Sequence, residues 1–213
     1  MNVRARLTII AALLTASGLA QAQWSANLGW ASEYHYRGLF QNSSSASGGV
    51  DFEQNGFYAG TWAADVGDGL EIDGYFGYGG DVEDFSYSIG FTGYYYTGDF
   101  DDTYQEINLG GAYGLLSLDI AVGEYENFTG PTQDYTFASL TLERNGFYGK
   151  FGTFSQDFNG DYFELGYGTT IAEVDVGVVL ILANDDLLCG PSDSLCDGDE
   201  TLLFTIGKSF DIN

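Results

Sequence analysis

From Trp24 onward, apolar and polar residues alternate with a period of two, the spacing of a strand with one greasy and one polar face. On the first such stretch Trp24, Ala26, Leu28, Trp30, Tyr34 and Tyr36 fall on one side. Ser25, Asn27, Gly29, Glu33, His35 and Arg37 fall on the other. The split returns in Leu70, Ile72, Phe76 and Tyr78 against Glu71, Asp73 and Tyr75, and in Phe85, Tyr87, Ile89, Phe91 and Tyr95 against Ser86, Ser88, Gly90 and Thr92. Ile107 and Leu109 oppose Glu106 and Asn108; Leu116, Leu118, Ile120 and Val122 oppose Ser117, Asp119 and Gly123. Near the end, Val174 to Leu182 and Leu202 to Ile206 keep the same rhythm. With weaker stretches near 49–54, 57–64, 135–142, 147–154 and 161–169, the pattern predicts about twelve short antiparallel strands.

A soluble β-sandwich also alternates, so the character of the polar face decides between architectures. Here it is largely Gly, Ser, Asp and Glu, which suits a narrow, wet lumen. Tyr, Phe and Trp recur toward strand ends, where a membrane barrel carries its interfacial girdles. The predicted architecture is an up-and-down transmembrane β-barrel. Such barrels alternate short inner turns with longer outer loops. The expected outer set is 42–47, 65–69, 98–102, 126–133, 156–160 and 184–200; the expected inner set is 55–56, 80–84, 113–114, 145–146 and 170–173. Two of the inner turns are Asn-Gly, a strong two-residue hairpin signal. Gln54-Asn55-Gly56-Phe57-Tyr58 returns as Arg144-Asn145-Gly146-Phe147-Tyr148, a repetition that aromatic-flanked hairpins also produce without duplication.

The first residues read as a cleavable export signal spanning 1–22. Arg4 and Arg6 precede an apolar run from Leu7 to Ala20, and Ala20-Gln21-Ala22 supplies a small-x-small cleavage pattern. The run is shorter than a bilayer-spanning helix requires. Residues 23–213 then form one barrel domain. The chain carries 31 acidic against 6 basic residues, a formal net charge of −25, and the export segment holds two of the basic residues and no acid. This excludes a phosphate-binding, nucleic-acid surface. Disorder is excluded by 16 Tyr, 16 Phe and 3 Trp. Cys189 and Cys196 sit in a segment dense in Asp, Gly and Ser, where an exported protein would staple a loop by a disulfide; a metal site there lacks a His or further Cys.

Candidate chemistry concentrates on the polar faces. Glu33, Asp51, Glu53, Glu71, Asp73, Glu106, Asp119, Glu164 and Asp175 are expected inward, with Arg37 and Lys150 nearly alone in opposing them. A lumen lined this way favours cations. The blander alternative is that the carboxylates are tied into Tyr and Arg contacts and conduct nothing, because a small barrel can be filled by its own side chains. His35, the single histidine, has no nucleophile placed beside it, so it is expected as a lumen-facing partner of Glu33 rather than a catalytic base. Outer-loop acids such as Asp99, Asp101, Asp102, Asp185 and Asp186 do not complete a calcium-binding loop. No cofactor or metal motif is legible.

The segments Ser32-Glu33-Tyr34-His35-Tyr36-Arg37-Gly38, Gly56-Phe57-Tyr58-Ala59-Gly60-Thr61-Trp62 and Glu71-Ile72-Asp73 with Tyr75 and Gly77 resemble the TorF-family putative porins, conserved exported proteins of proteobacteria. Tyr94 to Gly98 followed by Tyr104-Gln105-Glu106 fits the same pattern. The resemblance implies an outer-membrane barrel with no assigned substrate. The tail departs from the usual terminal aromatic, since Asp211-Ile212-Asn213 follows Phe210. The expected function is a cation-preferring porin whose partners are outer-membrane lipid and small solutes or cations. The alternative is a non-conducting barrel whose acidic outer loops contact ions, surface lipids or a partner.

Overall fold

The computed structural model describes residues 23–188 and 199–212. The expected Cys189–Cys196 disulfide and the 1–22 export segment lie outside them. Twelve antiparallel strands close into one barrel, each paired to its sequence neighbours and β1 to β12. In chain order they are β1 Gln23–Tyr36, β2 Leu39–Gln54, β3 Phe57–Gly67, β4 Gly69–Val82, β5 Phe85–Tyr96, β6 Tyr104–Tyr113, β7 Leu116–Tyr125, β8 Gln133–Arg144, β9 Phe147–Gln156, β10 Gly160–Ile171, β11 Val174–Ala183 and β12 Asp199–Ile212. A single helical turn, α1 Asp185–Leu188, precedes β12. Closure leaves no sheet edge, so the backbone needs no outside partner.

The two ends differ. At one end every connection is two residues long: Asn55-Gly56, Glu83-Asp84, Gly114-Leu115, Asn145-Gly146 and Ala172-Glu173. Both Asn-Gly turns hold the two positive φ angles of a type I′ hairpin, 52° and 83° at the first and 54° and 83° at the second. Both described chain ends, Gln23 and Ile212, lie at this short-turn end, since Gln23 pairs with Glu53 and Ile212 with Trp24. The opposite end carries the longer loops 97–103 and 126–132 and the segment leading into α1.

Two expected outer loops are strand instead, and of 65–69 only Asp68 lies outside β3 and β4. Residues 42–47 lie inside β2, and the chain reverses at Arg37 and Gly38, with φ of 51° and 85°. The Ser-rich run looked like a turn because Ser and Asn side chains compete for backbone partners. Here they satisfy the neighbouring strand: Ser45 Oγ donates to the Asp65 carbonyl at 2.7 Å and Asn42 Nδ2 to the same oxygen at 3.2 Å.

Residue parity also slips on β1. The β1–β12 ladder ends at Ala31↔Thr205, and the next N–H, that of Phe204, donates to Ser32 Oγ at 2.9 Å. Before this point odd residues such as Asn27 and Ala31 face inward; beyond it Tyr34 and Tyr36 do. On β2, Ser44 at φ 62° makes the matching slip between inward Ser45 and inward Asn42, so both strands change face together and keep register as far as Tyr34↔Asn42, beyond which β2 bulges at Gln41.

The exterior is apolar. Leu28, Phe76, Ile107, Leu140 and Phe204 are each about half exposed or more, on the faces that the alternation assigned to apolar residues. The packed interior sits in the long-loop half. One cluster joins Ala121, Tyr135, Phe137, Phe154, Tyr162 and Ala183 under Phe158, Leu187 and Leu188. A second joins Tyr34, Ala64 and Val66 with Tyr36, Trp62, Tyr96 and Phe100.

Candidate functional site: a tyrosine-lined carboxylate clasp in the lumen

Arg37 turns back from the β1–β2 reversal into the barrel. Its Nη1 and Nη2 donate to Glu106 Oε2 and Oε1 at 2.9 and 2.7 Å, the parallel fork that a guanidinium makes with a carboxylate. The guanidinium carbon lies 4.3 Å from the Phe137 ring centre and 4.8 Å from that of Tyr36, so aromatic faces enclose the charge. Burial disfavours the Arg37 cation, but the adjoining Glu106 carboxylate outweighs it and holds the guanidinium above its ordinary pKa.

Glu106, on β6, is 2% exposed and accepts further hydrogen bonds from Tyr94 and Tyr135 hydroxyls at 2.8 Å each and from Asn108 Nδ2 at 2.6 Å. Thr92 Oγ1 in turn donates to Asn108 Oδ1 at 2.8 Å, fixing the amide orientation. A buried carboxylate with this many donors is fully satisfied. On β4, Glu71 accepts from Tyr34 at 2.6 Å and Tyr96 at 3.0 Å. Nearer the mouth Asp101 accepts from Tyr104 and Tyr125 at 2.9 and 2.7 Å, and those two rings stack at 4.3 Å. Leu187 and Leu188 of α1 lie over the aromatic cluster. The long-loop half of the lumen is therefore filled.

The short-turn half is more open. Asp51 accepts from Asn27 Nδ2 at 3.3 Å and from the Tyr75 hydroxyl. Glu164 meets the Tyr148 hydroxyl at 3.3 Å and Lys150 Nζ at 3.9 Å. Glu53, Asp119 and Asp175 are half-buried, and Thr170 Oγ1 donates to Asp175 at 2.5 Å. Tyrosines reach across this face because the residue opposite is often glycine: the Tyr75 ring covers Gly60, where a Cβ would come within 2.6 Å of it.

The inward carboxylates thus form two tiers. Glu71, Asp73 and Glu106 are enclosed at 0–2% exposure; Asp51, Glu53, Asp119, Glu164 and Asp175 line the wetter half. Glu33 and His35 lie on the other face of β1 from Tyr34 and Tyr36. They bond each other, Nε2 to Oε2 at 3.2 Å, with His35 edge-on to Phe40, so the parity slip at Ser32 takes them away from the lumen. The partners missing from a reading of acids alone are the tyrosines. Tyr94 and Tyr96 share the Thr92 face in the alternation, so their inward direction was legible, but which carboxylate each would meet depends on register across β4, β5 and β6.

A model of bacterial proteins of unknown function, named Gcw_chp, matches residues 15–210. The chain belongs to this family. No curated protein sequence matches it. Among solved structures, a membrane protein determined in a study of in-meso crystallization aligns at 11% identity and TM-score 0.56, covering 89% of this chain and 84% of its own, which shows a shared fold. OccK2 (OpdF) of Pseudomonas aeruginosa aligns at 12% identity and TM-score 0.46, covering 92% and 69%. OccK1 (OpdK) of the same organism aligns at 12% and 0.44, and the present chain spans 57% of its length.

Proposed function

We propose that this member of the Gcw_chp family is an outer-membrane channel for small solutes, cation-preferring, and closed in the present conformation by the Arg37–Glu106 clasp. The observation that carries the reading is the inverted barrel: apolar residues face outward over a closed sheet while carboxylates face the axis. Hydrocarbon selects this arrangement, since it demands apolar side chains and a backbone with no unpaired group. The contrast between uniform two-residue turns at one end and an end that carries the loops 97–103 and 126–132 beside shorter reversals fits periplasmic and external faces. The export-signal pattern of residues 1–22 and the resemblance of Ser32–Gly38 and Gly56–Trp62 to TorF-family porins support the same location and role.

Cation preference follows from the charge count of the lumen. Eight carboxylates from Asp51 to Asp175 face inward against Arg37 and Lys150, and the low-dielectric wall focuses their field on the axis. Refolded protein in liposomes should admit small cations faster than anions of the same size. Equal rates would remove the preference, and no flux from a correctly folded barrel would remove the channel.

One observation favours a second reading, a barrel that conducts nothing. Glu106 and Glu71 are saturated by tyrosine and arginine donors, which is what a permanently plugged lumen would show. Liposome flux separates the two.

A further inference from the structure

Asp73 stands apart from the other enclosed carboxylates. It is 1% exposed, and among the described residues its Oδ1 has no hydrogen-bond partner. Glu71 two residues away has Tyr34 and Tyr96, and Glu106 has both Arg37 nitrogens with two tyrosines. Both terminal nitrogens of Arg37 are bonded to Glu106, so its fork is already taken up. Across the sheet Asp73 is directly opposite Trp62 on β3 and Tyr94 on β5, all on the inner face. Trp62 is fixed edge-on to Tyr34 at 5.8 Å. The Tyr36 hydroxyl, whose ring packs on Tyr94 at 5.4 Å, is likewise buried without a partner among the described residues. A buried, unpaired carboxylate oxygen with an indole and a phenol as its cross-strand neighbours and a second carboxylate two residues along the same face is the chemistry that takes a single positive charge.

We propose that Asp73, flanked by Glu71, Trp62 and Tyr94, is a binding site for a small monovalent cation, an alkali ion or a primary ammonium group, in the lumen. It rests on the channel reading above and names the class of solute that dwells there. A divalent ion is disfavoured, because it calls for several charged ligands and no group of three His, Cys, Asp or Glu side chains arranged for a metal occurs among the described residues. The aromatic walls suit a weakly hydrated monovalent charge.

Trp62 provides the readout. Trp24 and Trp30 project outward, so the double variant W24F/W30F leaves Trp62 as the single tryptophan of residues 23–213. The refolded barrel would be equilibrated overnight in tetraethylammonium chloride, then titrated at constant ionic strength with potassium chloride or with methylammonium chloride while Trp62 emission is followed. The expected result is a saturable change with at least one of the two small cations, with an apparent dissociation constant raised about tenfold or more by Asp73→Asn. Saturation with potassium identifies an alkali-ion site; tighter saturation with methylammonium identifies an ammonium site. A response that is linear in salt, or that Asp73→Asn leaves unchanged, overturns the proposal. Heat-modifiable electrophoretic mobility checks that each variant is folded. Flux distinguishes the two failures: cation-selective flux without saturable binding sinks the site and leaves the channel, whereas Asp73-dependent saturation in a barrel without flux sinks the channel and leaves the site.

Discussion

Arg37 occupies a left-handed turn position, φ 51°, and yet its guanidinium is the central charge of the lumen. Its pairing with Glu106 is enclosed on both sides, at 13% and 0% side-chain exposure. Breaking such a pair from one side leaves the other charge buried and uncompensated, which costs about 3–5 kcal/mol. Glu106→Gln should therefore lower the urea midpoint of the barrel more than Glu164→Gln does, because Lys150 and Glu164 meet at 3.9 Å in the wetter half. Equal midpoints would show that the clasp adds no stability. Glycine under tyrosine is the second residue-scale feature. At Gly60 a Cβ would lie 2.6 Å from the Tyr75 ring, so Gly60→Ala must push the ring off and loosen its bond to Asp51. The expected loss is about 1–3 kcal/mol, read from the same urea transition; a neutral substitution would mean the ring moves freely.

At the scale of strands and turns, the two Asn-Gly hairpins set register for β2–β3 and β8–β9. Gly146 has φ 83°, and a Cβ there would collide with the Gly168 carbonyl oxygen. Gly146→Val should destabilise the barrel by about 1–3 kcal/mol and slow its refolding, whereas unchanged refolding would show that this turn closes late. These turns were legible because positive φ at both positions calls for Asn-Gly. Strand number and facing were legible because a closed barrel shows its two environments in strict alternation. The exceptions have local causes. The polar run from Asn42 to Ser47 hid the start of β2, since the shortest side-chain bonds of Asn42 and Ser45 include those to Asp65 on β3, across the ladder. The face change at Ser32 hid the placement of Glu33 and His35, because a hydroxyl standing in for a ladder partner leaves no mark in a hydropathy pattern. The site was half legible for a related reason: acids announce an inner face, but the pairing of Tyr94 and Tyr135 with Glu106 needs separate strands brought into register.

For the whole molecule, the decisive property is that the apolar surface faces out and the charged one faces in. Ile107 is 54% exposed on the outer face. If that face meets hydrocarbon, Ile107→Arg should destabilise the barrel refolded in lipid by about 2–4 kcal/mol near mid-depth. A water-facing position would tolerate the same change within about 0.5 kcal/mol. The central claim concerns the axis, where Arg37 both closes the lumen and offsets its acids. Single-channel recording in a planar bilayer across a potassium chloride gradient, comparing the native barrel with Arg37→Ala, tests it most directly. A clasped, cation-preferring channel predicts rare or small openings in the native protein, and in the variant larger or more frequent openings with a reversal potential shifted toward that of potassium. A variant that is as silent as the native barrel, or that opens with an unchanged reversal potential, would contradict it.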